Sequence, residues 1–173
     1  MAALALIPQV VDAVRPIPVV AAGGIADGRG LAAALILGAQ AVNIGTRFLA
    51  SEEAPISQSW KQAIITAKSE DAIKVEFWKD IFPWGPAAYN TSPRALRTSF
   101  IEDWPKQLDV AKREAERLRG EVIAAIQEDR MEHFIPWAGQ SAGLVCDILP
   151  AAEIVKRIAA EAEEALEKAK PQG

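Results

Sequence analysis

Two glycine-bearing stretches carry the residue types best suited to holding an anion. Gly23 and Gly24 end one apolar run, and Asn43, Ile44, Gly45 and Thr46 end a second one soon after it, both within residues 17–50. A phosphate needs several backbone N–H donors converging with no side chain in the way, and a helix N-terminus adds a favourable dipole. Paired glycines meet the first need, because they adopt backbone conformations closed to other residues and leave no Cβ between backbone and ligand. The same glycines would equally serve a tight strand-to-helix turn with no ligand. Neither nucleotide signature is present: Gly23, Gly24 and Gly28 lack the GxGxxG spacing, and no GxxxxGK[ST] occurs.

Other chemically capable side chains are isolated. His133 is the single histidine, but a place at the end of a charged helix favours a cation there without catalysis. Arg94 and Arg97 suit either an anionic substrate or a solvated helix face, since they stand three residues apart. Trp84, Trp104 and Trp137 could stack on a flat cofactor, although core packing is the commoner use of such rings. Cys146 sits in an apolar context without a basic neighbour in sequence and reads as structural. The acidic run from Glu161 to Glu167 reads as a solvated helix face.

The elements that must position these residues follow from periodicity. Leu4, Ile7, Val10, Val11 and Val14 recur at helical spacing, which predicts an amphipathic helix ended by Pro16; it begins without a capping residue, as though inside a helix–strand repeat. Residues 17–22 are uninterruptedly apolar, the composition of a strand buried on both faces of a parallel sheet. Asp27 can cap a helix that stops at Gly38, and residues 41–50 hold the next strand. Strand, helix and strand at this spacing predict a βαβ unit with parallel strands.

Beyond Ser51 the spacing predicts a helix over 55–68 with Ile56, Trp60, Ile64 and Ile65 on one side. A short strand should follow, in which Ile73, Val75 and Phe77 alternate with Lys74 and Glu76. Prolines at 83, 86 and 93 predict a long loop over 82–99 carrying Trp84 and Tyr89. A charged helix over 103–129 should bury Leu108, Ala111, Leu118, Val122 and Ile126, and Gly120 weakens it. Residues 134–143 form a second glycine-bearing loop. Pro150 opens a last helix whose stripe is Ile154, Val155, Ile158, Ala162 and Leu166, followed by a frayed tail.

Composition narrows the function classes. Half of the 173 residues are apolar, enough for a sizeable core, and 19 basic against 23 acidic residues leave a net charge of −4. With no basic cluster to follow a phosphate backbone, nucleic acid is not an expected partner. One cysteine excludes an internal disulfide framework and a cysteine-rich metal site, which fits a reducing, cytoplasmic setting. The first residues lack a signal-peptide pattern, and no run approaches the roughly 18 apolar residues of a membrane span.

The stretch PVVAAGGIADGRGLAAALILGAQAVNIGTRFLAS resembles the FMN-phosphate region of the nitronate monooxygenase family, formerly 2-nitropropane dioxygenases, and of its relative the FMN-dependent enoyl-[acyl-carrier-protein] reductase. SPRALRTSF resembles the family's R-A-L-R-N-x-F segment, and PWAGQSAGLVCDILPAAEIV resembles its WAGQ-x-x-GL-x-x-D-x-x-PA-x-E-I-V ending. These blocks occur in the family's order and cover most of the chain.

The resemblance implies an α/β protein, the C-terminal portion of a TIM (β/α)8 barrel with a mostly helical second domain. Residues 1–51 would form the last βα units of the FMN-binding barrel, 52–139 a helical lid-like domain, and 140–173 a loop and the last barrel helix. It implies FMN as cofactor, with the phosphate held by Gly23, Gly24 and the element Asn43, Ile44, Gly45 and Thr46; Gln140 and Ser141 would lie near the flavin. Asn43 stands where relatives commonly carry Gln. The implied substrate is a nitronate, or an enoyl thioester in the reductase branch, and a chain that only binds flavin or phosphate is the non-catalytic alternative. The family's catalytic histidine lies in a G-G-H motif upstream of these blocks, in a part this sequence does not contain. A complete barrel takes about 200 to 250 residues. The expectation is therefore a chain inactive by itself, working as a homo-oligomer or with a complementing N-terminal half.

Overall fold

The computed structural model describes residues 2–82 and 92–170; Trp84 and Tyr89 lie outside the described residues, as do the side chains of Pro105 and Leu108 and the end of the tail. Helix α1 (Ala3–Val14) leads into β1 (Val20–Ala22), α2 (Gly28–Ile36) and β2 (Ala41–Asn43). β1 and β2 pair in parallel with Ala22 opposite Asn43, so the expected βαβ unit is present and the fold is α/β. Asp27 caps α2 by accepting from the Gly30 N–H at 3.0 Å. At the other end Gly38 has φ +96°. Its N–H reaches the Leu35 carbonyl and the Ala39 N–H reaches the Ala34 carbonyl, each at 3.0 Å, which is a complete Schellman closure. A Cβ on Gly38 would press on the Val11 side chain, so this glycine also lets α1 close on the crossover.

Ile7, Ala21, Ile25, Ala34 and Ala39 make a small core between α1, the strand pair and α2. Burial on both faces of the first strand is not found. Ala21 is buried, but Val20 is 56% exposed, and Ala22, Ala41 and Asn43 on the same face are exposed as well. Strand residues alternate between faces, and among the described residues only one face carries helices. The helical stripe of α1 is likewise thinner than expected, with Ile7 buried and Leu4 71% exposed.

The middle of the chain holds α3 (Thr46–Leu49), α4 (Gln58–Thr66), β3 (Ala72–Lys74), α5 (Trp78–Ile81), β4 (Arg94–Leu96), α6 (Ser99–Asp103), α7 (Leu108–Arg113) and α8 (Ala115–Gln127). The loop expected over 82–99 contains a strand: β4 pairs antiparallel with β3, Ile73 opposite Ala95. Pro93 does not obstruct it, because its carbonyl accepts from the Val75 N–H at 2.9 Å and that bond needs no proline N–H. The single helix expected over 103–129 is broken by a 3-10 turn at Trp104–Gln107. Pro105 falls inside that turn and has no N–H to continue an α-helix. Ile64, Val75, Phe77, Ile81, Leu96, Leu118, Val122 and Phe134 belong to the larger core. In α8 the buried position falls on Ala125 and leaves Ile126 40% exposed.

Helix α9 (Ala151–Lys168) follows Pro150, its N-cap residue, and buries Ile154, Ile158 and Ala162, while Val155 is 56% exposed rather than in the stripe. It packs closely on α2. A Cβ on Gly28 would overlap the Ala162 nitrogen and the Glu161 Cβ, so the two helices touch backbone to backbone at that point. Gly120, inside α8, has open space around it. Urea unfolding should therefore separate the two glycines: Gly120→Ala is expected to stabilise by about 0.5–1 kcal/mol, and Gly28→Ala to destabilise by roughly 1–3 kcal/mol.

Candidate anion site

Because β1 and β2 are parallel neighbours, the turns that follow them start side by side, about 4.8 Å apart. Gly23 and Gly24 have φ values of +91° and +78°, a conformation that side chains rarely adopt. Ideal Cβ atoms placed on Gly23, Gly24 or Gly45 would find nothing within 4 Å. These turns are therefore not glycine-rich for packing reasons; they face open space. Among the described residues, the N–H groups of Gly24, Gly45 and Thr46 donate to no backbone carbonyl. Unpaired backbone donors facing open space are what an anion requires.

The N-terminus of α2 turns out not to belong to that donor set. Glu161 Oε2 accepts from the Gly28 N–H at 2.9 Å and Asp27 accepts from Gly30, so two carboxylates already occupy the first turn. Burial raises the Asp27 pKa, but the Gly30 N–H and the neighbouring Arg29 guanidinium outweigh it and leave the carboxyl below its ordinary value. Glu161 was expected on a solvated face. Its position in sequence says nothing about Gly28, which lies 133 residues away.

The third loop comes back to the same place. Thr46 Oγ1 accepts from the Gly139 N–H at 2.9 Å, which leaves the hydroxyl hydrogen free to donate, and Thr46 itself is buried. Gln140 follows directly and is exposed, and Ser141 is buried. Arg47, only 6% exposed, donates to the Asp147 carbonyl at 2.9 Å and to its carboxylate at 2.6 Å. Arg157 on α9 reaches the other Asp147 oxygen at 2.6 Å. Burial pulls the Arg47 pKa down, and Asp147 partly offsets this. Sequence reasoning passed over this trio. Its signal is a base and an acid each stranded in an apolar run, Arg47 in TRFLA and Asp147 in LVCDILP.

The other sequence candidates lie elsewhere. Arg94 donates across the strand pair to the Ala72 carbonyl at 2.7 Å, and Arg97 pairs with Glu102 at 2.9 Å, so they stand on and beside a strand, not on a helix face. Trp137 packs edge-on against Trp78, and Trp104 packs on Phe100. His133 is exposed and lines a cleft of about 580 Å³ with Asp103, Gln107 and Glu121 that contains none of the turn glycines. Cys146 is exposed, against expectation, and lies beside Asp147 in a cleft of about 600 Å³ along α9. The rim of that cleft is taken up by the Arg47–Asp147–Arg157 and Arg29–Asp27 pairs.

The family model described as nitronate monooxygenase matches residues 1–161. A probable nitronate monooxygenase of Staphylococcus aureus (strain MSSA476) is 34% identical over 155 residues, 90% of this chain and 41% of the relative. Among solved structures, FabK from Thermotoga maritima superposes with a TM-score of 0.80 at 36% identity, covering 97% of this chain and 51% of that one. A nitroalkane oxidase from Streptomyces ansochromogenes gives 0.78 at 30% identity, over 98% and 46%. The chain thus spans about half the length, or less, of the relatives it matches.

Two outcomes follow from the anchors. Asp147→Ala strands the buried Arg47 guanidinium and is expected to cost roughly 2–3 kcal/mol in urea unfolding, whereas Arg47→Met with Asp147→Leu should cost less than the single change. Asp27, with its lowered pKa, contributes stability that is present above its unfolded value of about 3.9 and lost as pH falls through the lower folded value. Asp27→Asn, which keeps a capping oxygen, is expected to flatten that acid limb in pH-dependent thermal unfolding.

Proposed function

Since the chain belongs to the nitronate monooxygenase family, we propose that it supplies the FMN-phosphate cradle of a flavin-dependent oxidoreductase that oxidises alkyl nitronates. In this reading the chain is the C-terminal portion of a (β/α)8 barrel: residues 1–51 are its last βα units, 52–139 a helical lid-like domain, and 140–173 a loop and the closing helix. The observation that carries it is the pair of turns at adjacent strand ends, open where Cβ atoms would stand and with unpaired N–H donors. Phosphate sites in such barrels form from the loops after the last two strands.

Each residue has a defined part. Gly24 presents a backbone donor from one side, where Gly23 leaves room for the phosphate, and Gly45 and Thr46 donate from the other. The Thr46 hydroxyl, held by Gly139, keeps its hydrogen for a phosphate oxygen. Asn43 stands on the exposed strand face with Ala22 and Ala41, where its side chain would lie beneath the cofactor, and exposed Gln140 approaches from the third loop. Bound FMN would supply the redox chemistry; the protein binds and orients it. Reduction of an enoyl thioester could use the same cradle, and the family match favours the nitronate.

Flavin fluorescence titration tests the cradle. FMN is expected to bind at least about tenfold more tightly than riboflavin, since one charge-assisted hydrogen bond is worth about 1.5–3 kcal/mol. Gly45→Asp should erase that preference by placing a carboxylate against the phosphate. Equal affinities for FMN and riboflavin would refute the assignment. Turnover of propionate 3-nitronate by the chain with added FMN is expected to be absent, as an oxygen-consumption assay will show.

A further inference from the structure

Helix α3 is a single turn, Thr46–Leu49, and one turn has little stability of its own, because nucleating it fixes several backbone dihedrals for very few hydrogen bonds. The directions of the Gly45 and Thr46 N–H groups and of the Thr46 hydroxyl must therefore be imposed from outside α3. Two consecutive residues receive that support. Thr46 is tied to the Gly139 N–H at 2.9 Å, and Arg47 sends a buried guanidinium to two acceptors of one residue, the Asp147 carbonyl at 2.9 Å and its carboxylate at 2.6 Å. A planar fork held at two acceptors fixes direction as well as distance. Arg157 holds the second carboxylate oxygen at 2.6 Å, which keeps Asp147 from rotating to follow Arg47.

We infer that Asp147 is a positioning residue for anion binding at the Gly45–Thr46 turn: acting through Arg47, it aims the Thr46 hydroxyl and N–H at the phosphate. The inference rests on the FMN-phosphate reading proposed above. Asp147 stands at the far end of the Arg47 side chain from the turn, in the cleft along α9, so its influence is indirect. Charge and aim predict opposite signs for its removal. A carboxylate repels a phosphate, so by Coulomb's law alone the loss of Asp147 would strengthen binding of a phosphate-bearing ligand. A carboxylate that works by holding Arg47 has the reverse effect, because its loss frees the turn and hydrogen bonds weaken steeply as their geometry departs from linearity. General loosening of the fold differs from both, since it lowers affinity for flavins with and without a phosphate alike.

The test is the ratio of FMN to riboflavin affinity, read by fluorescence titration of the full chain. Asp147→Ala is expected to lower that ratio by at least about threefold while riboflavin affinity stays within about twofold. Glu164→Gln removes one negative charge from the same cleft without touching Arg47, and the ratio is expected to stay as it was. If Asp147→Ala does not fold, Arg47→Met with Asp147→Leu decides, because it deletes the pair with no change in net charge and should show the same loss. A ratio that is unchanged or raised overturns the inference, as does an equal fall in affinity for both flavins. If the unaltered chain already binds FMN and riboflavin equally, the phosphate reading fails and the positioning role goes with it. A preference for FMN that survives removal of the pair overturns the positioning role alone.

Discussion

Parallel pairing of β1 and β2 imposes a geometric condition on everything around it: the crossover helix must return the chain to the same starting edge, so both strands finish together. That is why the turns Gly23–Gly24 and Gly45–Thr46, separated along the chain, start side by side and face open space. α2 is the element that makes the return possible, and its two ends are closed tightly. Asp27 and Glu161 fill its first turn, and the Gly38 closure fills its last. The crossover is thereby electrically complete, and the donors left without partners are those of the turns themselves.

The second condition is that residues 139–149 come back to β2 after the whole middle of the chain. Three contacts secure that return: Gly139 to Thr46, Asp147 to Arg47, and the parallel bridge of Ser51 with Leu149. The Arg47–Asp147 pair is the demanding one, because a guanidinium so deeply placed is tolerated only while its acceptors stay put. Arg157 shares the same carboxylate, so α9 is oriented by the contact that also steadies the Gly45–Thr46 turn. The Gly45–Thr46 turn and the packing of α9 are thus mechanically coupled through one aspartate.

The middle segment builds a core of its own around Ile64, Phe77, Leu118 and Phe134, whereas the βαβ unit has a small core and an exposed strand face. The asymmetry has a direct energetic meaning. Apolar strand residues such as Val20 gain little where no layer covers them, since stabilisation scales with area removed from water. The βαβ unit relies instead on α9, pressed against α2 at Gly28, and on the charged anchors.

Local chemistry was enough to read the βαβ unit, the Asp27 cap, the Gly38 stop, α9 and the open glycine turns, because each depends on residues within a few positions of one another. Strand β4 was hidden, since the prolines that precede it look like a loop until a partner strand is supplied. The break near Pro105 was visible in principle, yet the apolar spacing of 103–129 masked it. Exposure of Val155, Ile126 and Val20 was not legible, because periodicity says which residues share a face and not what covers it. By itself, then, the sequence determined the family, the α/β alternation and the glycines that leave donors bare. Only the tertiary structure decided that Glu161 seals α2, that Gly139 holds Thr46 and that Asp147 pairs with Arg47. Those contacts join residues 93 to 133 positions apart, and no local rule of the chain can specify which partner a distant fold will deliver.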